Sequence, residues 1–585
     1  MTPTPTAPDR TYRPADFASI TEALDHAATG PTGINLYSQR GQLVEVLTYA
    51  ALREAAQGLG RALLAAGLKP GERVGLVAES DGDFIRAFFA CQYAGLAPAP
   101  LPLPAPFGGR DGYIEHIRRM LQSAGATAVF GPPALVDWLG EAAAGLGMKL
   151  VGAVQDLAPV EQGEELPGAD PEGLSYLQFS SGSTRFPLGV AVTHKALMAN
   201  IHGMANHGLG IGPADRMVSW LPLYHDMGLI GFLFGPLVCQ SSLDLLPTGA
   251  FVRRPLLWLD IISRFGGTIS YSPTFGYELC YRRAETMSLD GYDLRSWRAA
   301  GIGGDMIRPP VLQAFADRFA VCGFDARAFV ASYGMAEATL GLSFAPGGRG
   351  VRAETLDVDL LEREGAAAPP SERTRRMREF ALNGPPLPGH WLEVRDEAGA
   401  VLPERRVGRI FAKGPSLMKA YFGQPEETAS VLSADGWLDT GDLGYVADGE
   451  IVLTGRAKDL IIVNGRNVWP QDLEWTAEAE EPSLRSGDVA VFSVSGDGEE
   501  TVVVVVQCRT SDPEARARLK GDLAGCLRMR HGLDTEVVLA PPHALPKTSS
   551  GKLSRSRAKA MYLAGAFPHD TAAPAAASDP ATVSA

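Results

Sequence analysis

The chain is short of most features that send a protein out of the cell or into a membrane. Its six cysteines, Cys91, Cys239, Cys280, Cys322, Cys508 and Cys526, are scattered, with no CxxC pair and no histidine at zinc-like spacing. That excludes a disulfide framework and reads as reduced core thiols. The opening residues MTPTPTAPDR lack the basic stretch followed by an apolar one that a secretory signal needs. The longest apolar run, Gly228 to Cys239, is too short to span a bilayer and is broken by glycine and proline. Positive charge is scarce as well: Lys+Arg 53 against Asp+Glu 67 gives a net charge of -14, which argues against a nucleic-acid surface. A cytoplasmic enzyme, with no nucleic-acid partner and no transmembrane segment, is the expectation.

Several catalytic signatures fail one residue at a time. A Walker loop ending at Gly551-Lys552 would need glycine at 546 and Ser or Thr at 553, where Pro546 and Leu553 stand. A dinucleotide fingerprint at Gly301-Ile302-Gly303 would need a glycine at 306 and meets Met306. No Gly-x-Ser-x-Gly elbow supplies a nucleophile for His225.

What is present is an ordinary globular composition, 45% hydrophobic and 21% charged, in 585 residues, enough for two or three domains. Thr48 caps an amphipathic helix through Leu52, Ala56, Leu59 and Leu63 that stops at Gly67, with Pro70 beyond. Val74 to Ala78 follows as a strand buried on both faces, then a helix through Ile85, Phe88 and Phe89. Strand Leu174 to Phe179, a helix after His194, strand Phe265 to Tyr271 and helix Thr274 to Arg283 continue the alternation. The expected fold is α/β: two doubly wound lobes, then short strands at Trp391 to Arg395, Gly408 to Lys413 and Glu450 to Leu453 as a small β-barrel-like part, an antiparallel barrel or sheet. A small α+β C-terminal domain follows, with the hairpin Val489 to Val494 and Val502 to Cys508.

The sharpest local signal is Phe179-Ser180-Ser181-Gly182-Ser183-Thr184-Arg185, a run of hydroxyls and glycine after a buried strand, suited to cradling phosphates. Taken alone it is a polar surface turn. It does not stand alone: Trp220 to Asp226, Ser332-Tyr333-Gly334-Met335-Ala336-Glu337, Thr440-Gly441-Asp442, Gly455 to Asp459 and Pro546 to Lys552 follow in order.

Together these motifs resemble the adenylate-forming superfamily over about residues 20 to 565, and within it most closely the fatty acyl-AMP ligases. The resemblance implies ATP and Mg2+, with Ser180, Ser181, Gly182, Ser183, Thr184 and Arg185 on the phosphates. The family's usual lysine in that loop is Leu188 here, which leaves Arg185 as the candidate cation for departing pyrophosphate. The resemblance further implies Gly303, Gly304, Asp305, Ser332, Gly334, Met335 and Ala336 around the nucleotide, Tyr333 on adenine and Glu337 on magnesium. Asp442 would take the ribose hydroxyls, with Arg456 beside it. Alone, Tyr333 would be a core aromatic and Asp442 a turn residue capping its own backbone.

The family places a lysine equivalent to Lys552 between the substrate carboxylate and the α-phosphate, where its charge steadies the transition state. His225 is assigned to substrate positioning, because a fatty carboxylate is already ionised at neutral pH and needs no base. Asp226, Met227, Gly228, Phe275 and Tyr277 are the expected acyl walls. The expected division is a large domain over 1–455 with an insertion at about 348–382, a hinge at 456–458 centred on Lys458, a mobile domain over 459–566 and a disordered tail over 567–585. Over forty residues separate Leu340 from Pro385. In fatty acyl-AMP ligases an insertion here restrains the small domain and favours an acyl carrier protein over CoA; an ordinary surface insertion is the alternative. Three functions stay open: a medium- or long-chain fatty acid ligase serving a holo acyl carrier protein, an acyl-CoA ligase, and an inert adenylate-binding module.

Overall fold

The computed structural model describes residues 12–104, 109–161, 163, 165–180, 187–463, 466–495, 500–548 and 552–567. It forms two compact units, Met1–Lys458 and Asp459–Ala585.

The first unit is built on an eight-stranded sheet. In spatial order its strands are Gly341–Phe344, Phe329–Gly334, Ala299–Ile302, Ile269–Ser272, Arg216–Ser219, Ser242–Leu245, Gly33–Tyr37 and Leu43–Thr48. The six inner strands are parallel, with one antiparallel strand at each edge. A second, parallel sheet has the order Ala97–Leu101, Arg73–Val77, Ala128–Gly131, Leu150–Ala153. The two lobes therefore interleave in sequence: the amino-terminal hairpin joins the sheet made mostly of later strands. Helix Tyr49–Ala65 forms where capping chemistry puts it. The Thr48 hydroxyl accepts from the Ala51 amide at 3.1 Å, and Leu52, Ala56, Leu59 and Leu63 are buried.

Two expectations need correcting. Phe265 ends a helix, Leu256–Phe265, rather than beginning a strand, because Gly266 takes φ +66 as a left-handed stop and the strand starts only at Ile269. Leu174–Phe179 pairs antiparallel with Gly189–Thr193, in a three-stranded sheet completed by Ala420–Tyr421, so it does not open a parallel lobe. Of the barrel or sheet expected for the short strands, the chain forms the sheet, an open antiparallel one of Trp391–Arg395, Gly408–Lys413, Leu438–Ala447 and Glu450–Arg456.

The residues of the insertion fold as a hairpin, Ala353–Asp357 against Met377–Ala381, with helix Val358–Glu364 between. Arg376 holds that helix through Asp359 and through Glu362, which is 1% exposed. Three groups tie the hairpin to the open sheet: Arg352 pairs with Glu450, and Glu354 accepts from Arg405 at 2.8 Å and from the Tyr445 hydroxyl at 2.6 Å.

In the second unit, strands Val489–Ser495, Glu500–Gln507 and Thr535–Ala540 form one sheet. The run Val502 to Val506 alternates between two cores. Val502, Val504 and Val506 meet Leu473, Ala477, Leu523 and Leu527 from helices Pro470–Glu480 and Pro513–His531. Val503 and Val505 meet Phe492, Ala558 and Phe567. Each buried valine contributes about 1.5–3 kcal/mol. Phe567, expected to begin the tail, is 1% exposed and belongs to this core; residues 568–585 lie outside the described residues.

Candidate active site

Parallel strands Ile269–Ser272, Ala299–Ile302 and Phe329–Gly334 end side by side, and crevices beyond such carboxyl ends are where α/β sheets take ligands. Gly303 and Gly304 leave the second strand, and Ser332 to Ala336 close the third. The backbones pack closely here. A Cβ on Gly303 would lie 2.8 Å from Ser332 Oγ, and one on Gly334 only 1.8 Å from Leu340 O. Met335 N donates to Leu340 O at 2.8 Å, and Ala336 starts a single turn that carries Glu337. Thr339, a β-branched residue, then adopts φ +69, a strain of about 1–3 kcal/mol, held by its hydroxyl on Ser416 O at 2.7 Å.

Tyr333 and Asp442, over a hundred residues apart, meet: the phenol donates to Asp442 Oδ2 at 2.8 Å. Burial, reinforced by that carboxylate, pushes the phenol's pKa well above its usual value. Asp442 lies opposite Arg456 in the strand register, with Arg456 Nε 3.6 Å from Oδ1. The preceding Gly441 has φ +72, which glycine alone adopts without strain, and the Asp442 amide donates to Thr440 Oγ1 at 3.2 Å.

Glu337 is 9% exposed, and its Oε1 accepts from the Tyr421 hydroxyl at 2.8 Å. Burial raises its pKa; the Tyr421 bond opposes the rise, Asp226 adds to it and Arg456 counters it. The mutual influence puts Glu337, Asp226 and Arg456 in one neighbourhood. His225 Nδ1 sits 2.6 Å from Asp226 Oδ1, while the buried Asp226 also accepts from the Met227 amide at 2.8 Å and so caps the π-helical segment Met227–Phe234. Gln178 Nε2 holds the same loop through Tyr224 O at 2.8 Å. A Cβ on Gly228 would lie 2.2 Å from Pro222 O, so the loop needs that glycine.

Other expected residues fall elsewhere or beyond reach. Ser181, Gly182, Ser183, Thr184 and Arg185 lie outside the described residues; Ser180 N donates to Leu188 O at 3.1 Å across that stretch. Asp305 turns to the amino end of helix Thr274–Ala284, accepting from Thr274 N at 3.1 Å, as a helix-terminal acceptor does. Phe275 is half-buried, edge-on to Trp220 at 5.9 Å. Tyr277 is a core residue rather than an acyl wall: fully buried, it packs against Trp258, Trp297, Phe315 and Phe329 and donates to Gly301 O at 2.9 Å.

Lys458 lies in the turn Ala457–Asp459 at the end of the first unit. In the second unit, Lys552 is half-buried. Its amide donates to Thr548 Oγ1 at 3.2 Å and its carbonyl accepts from Thr548 N at 2.7 Å. Three residues on, Arg555 pairs with Asp459 at 2.9 Å and with Glu474 at 2.6 Å.

Among the described residues no cluster of three His, Cys, Asp or Glu could hold a metal. The single buried carboxylate of Glu337 suits a hard cation that completes its shell with phosphate oxygens and water.

Residues 26–422 match the AMP-binding enzyme family, and the chain belongs to it. It is 62% identical over 564 residues to a Caulobacter vibrioides protein provisionally named an acyl-CoA synthetase, covering 96% of this chain and 98% of that one. It is 32% identical over 571 residues to the medium-chain-fatty-acid–acyl-carrier-protein ligase JamA of Moorena producens, covering 94% and 96%. A solved structure from a study of fatty acyl-adenylate ligases of E. coli and L. pneumophila superposes with TM-score 0.90 at 42% identity, covering 95% of this chain and all of that one. The resemblance to fatty acyl-AMP ligases carried by the motifs is thus borne out, as is the mixed α/β fold.

Motif reading missed Tyr421, Gln178 and Thr339, which hold Glu337, the His225 loop and the turn after Glu337. None carries a local signal, since each acts on a residue distant in sequence or through its own backbone angle.

Proposed function

We propose that the chain adenylates a medium- or long-chain fatty acid and hands the acyl group to the phosphopantetheine thiol of an acyl carrier protein. A carboxylate oxygen attacks the α-phosphorus of ATP, the bond to pyrophosphate breaks, and pyrophosphate leaves. The thiolate then attacks the acyl carbonyl and AMP departs. What supports this reading is the junction of Tyr333, Asp442 and Arg456, three separate motifs brought to one polar corner beside Glu337.

In this reading Tyr333 stacks on adenine and Asp442 takes the ribose hydroxyls, its two oxygens being acceptors for both. Glu337 would hold Mg2+, which would neutralise charge on the phosphates. The Asp226-bound imidazole of His225 positions the acyl carboxylate. Lys552 supplies positive charge at phosphorus, and the turn at Lys458 acts as the hinge that brings it in and withdraws it for the thiol. The insertion, tied to the open sheet through Glu354 and Glu450, favours a carrier protein as acceptor.

Incubating the protein with labelled fatty acid, ATP and either holo carrier protein or CoA tests this: label should move to the carrier. Transfer to CoA alone would select the second reading, a CoA ligase, which the 62% identity to the Caulobacter protein favours.

A further inference from the structure

The carboxyl end of the parallel sheet is thinned by glycine and refilled by one ring. Gly301 stands opposite Tyr271 in the parallel register, and Gly303 follows just past the end of the strand. A Cβ on Gly301 would lie 1.9 Å from the Tyr271 ring, so the ring rests directly on the Gly301 backbone. Its aromatic neighbours are Phe232, with centroids 6.1 Å apart, and Phe344 at 6.5 Å. Phe232 lies in Met227–Phe234, the apolar segment that begins directly after His225 and Asp226. The serines on either side face the opposite way. Ser270 Oγ accepts from Trp258 Nε1 at 2.7 Å, and a Cβ on Gly276 would lie 2.0 Å from Ser272 Oγ. Tyr271 thus projects on the side of the sheet that the His225 segment covers.

The hydroxyl is a second, independent observation. Tyr271 is 7% exposed, and its phenol oxygen is buried without a partner at hydrogen-bonding geometry. Its polar neighbour is the Ser332 hydroxyl, which donates to Ile302 O at 3.2 Å and, through a contact looser than full hydrogen-bonding geometry, opposes the rise in pKa that burial imposes on the phenol. Tyr277, buried a few residues away, does find an acceptor in Gly301 O. A buried hydroxyl left without a full hydrogen bond costs up to about 1–3 kcal/mol. Tyr271 fills volume at the carboxyl end of these strands with no short hydrogen bond to fix its tip there.

We propose that Tyr271, seated on Gly301, is the stopper of the acyl site and sets the longest alkyl chain this enzyme accepts. The proposal rests on the fatty acid reading above. The closing experiment measures binding of non-hydrolysable acyl-sulfamoyl adenosines of increasing acyl length, with AMP as the chain-free control, to wild type, Tyr271→Phe, Tyr271→Leu and Tyr271→Ala. Wild type should show a length beyond which affinity falls. Tyr271→Phe should keep that limit, because the ring stays. Tyr271→Leu and Tyr271→Ala should move it to longer chains, raising affinity for the first rejected length about tenfold or more relative to a short chain. An unchanged limit in folded Leu and Ala variants overturns the proposal, and so does unfolding of both, which would make the ring part of the core. A wild type that binds AMP but no acyl analogue would instead refute the fatty acid reading itself.

Discussion

Two buried glutamates in the two units receive opposite treatment. Glu474 in the small unit is 4% exposed and fully compensated: Oε1 accepts from Arg555 Nε at 2.7 Å and from the Val491 amide at 3.0 Å, and Oε2 from the same guanidinium at 2.6 Å. Glu337 in the large unit is nearly as buried, yet its side chain takes a neutral hydroxyl from Tyr421 and no ion pair among the described residues. Burial lifts its pKa, the mark of a charge that the protein has not neutralised by itself. The lesson is one of purpose. The small unit pairs its buried glutamate with a cation, while the large unit leaves Glu337 to a neutral hydroxyl, as the proposed cation site would need.

Breaking the comparison at its catalytic end should give the largest effect. Lys552→Ala is expected to lower fatty-acid-dependent pyrophosphate release by about 100- to 1000-fold while ATP still binds; undiminished release would remove the role given to that lysine. Next comes Arg555→Ala, which leaves the buried Glu474 and the half-buried Asp459 without their cation. Denaturant melts of the small unit should show a loss of about 3–5 kcal/mol.

Glu337→Gln should do the reverse. The raised pKa means that folding disfavours the ionised form. That contribution favours the protonated native state at low pH and turns unfavourable as pH rises through the folded-state value. The variant should therefore melt no lower than wild type without nucleotide, and its melting temperature should vary less with pH above the ordinary carboxylate range, although its activity drops steeply. By the same sign, wild type should need more Mg2+ as pH falls through that raised pKa, since protons compete for the carboxylate. A Mg2+ requirement flat in pH would contradict this.

Asp442→Asn sharpens the nucleotide side: losing a charged acceptor should weaken ATP binding by about 1.5–3 kcal/mol, read as a raised KM for ATP with a smaller change in kcat. Tyr421→Phe should have the smallest effect, about 0.5–1.5 kcal/mol, seen as a modest shift in apparent Mg2+ affinity.

Where the information was local, it was legible. Thr48 and Gly67 bracket a helix because capping depends on a few neighbouring residues, and the apolar run from Val502 to Cys508 declares a hairpin strand, whose two covered faces only the packing shows. The motif order gave the family, since each segment carries its own residue pattern. Phe265 misled because a hydrophobic helix end and a strand start look alike over a few residues, and only the left-handed Gly266 separates them. Tyr277 misled because an aromatic on an amphipathic helix looks the same whether it meets ligand or four other rings.

The amino-acid order alone determined the alternation of strand and helix, the capping points, the glycines that permit close turns, and which residue types were available for phosphate, ribose and metal. Only the tertiary structure decided that Tyr333 meets Asp442, that Tyr421 rather than a cation answers Glu337, and that Tyr271 lies on Gly301. The physical reason is range. Backbone preferences and capping are set within a turn or two of the chain, whereas these contacts join residues from 30 to 109 positions apart, and only strand pairing and the packing of one sheet against another bring them together.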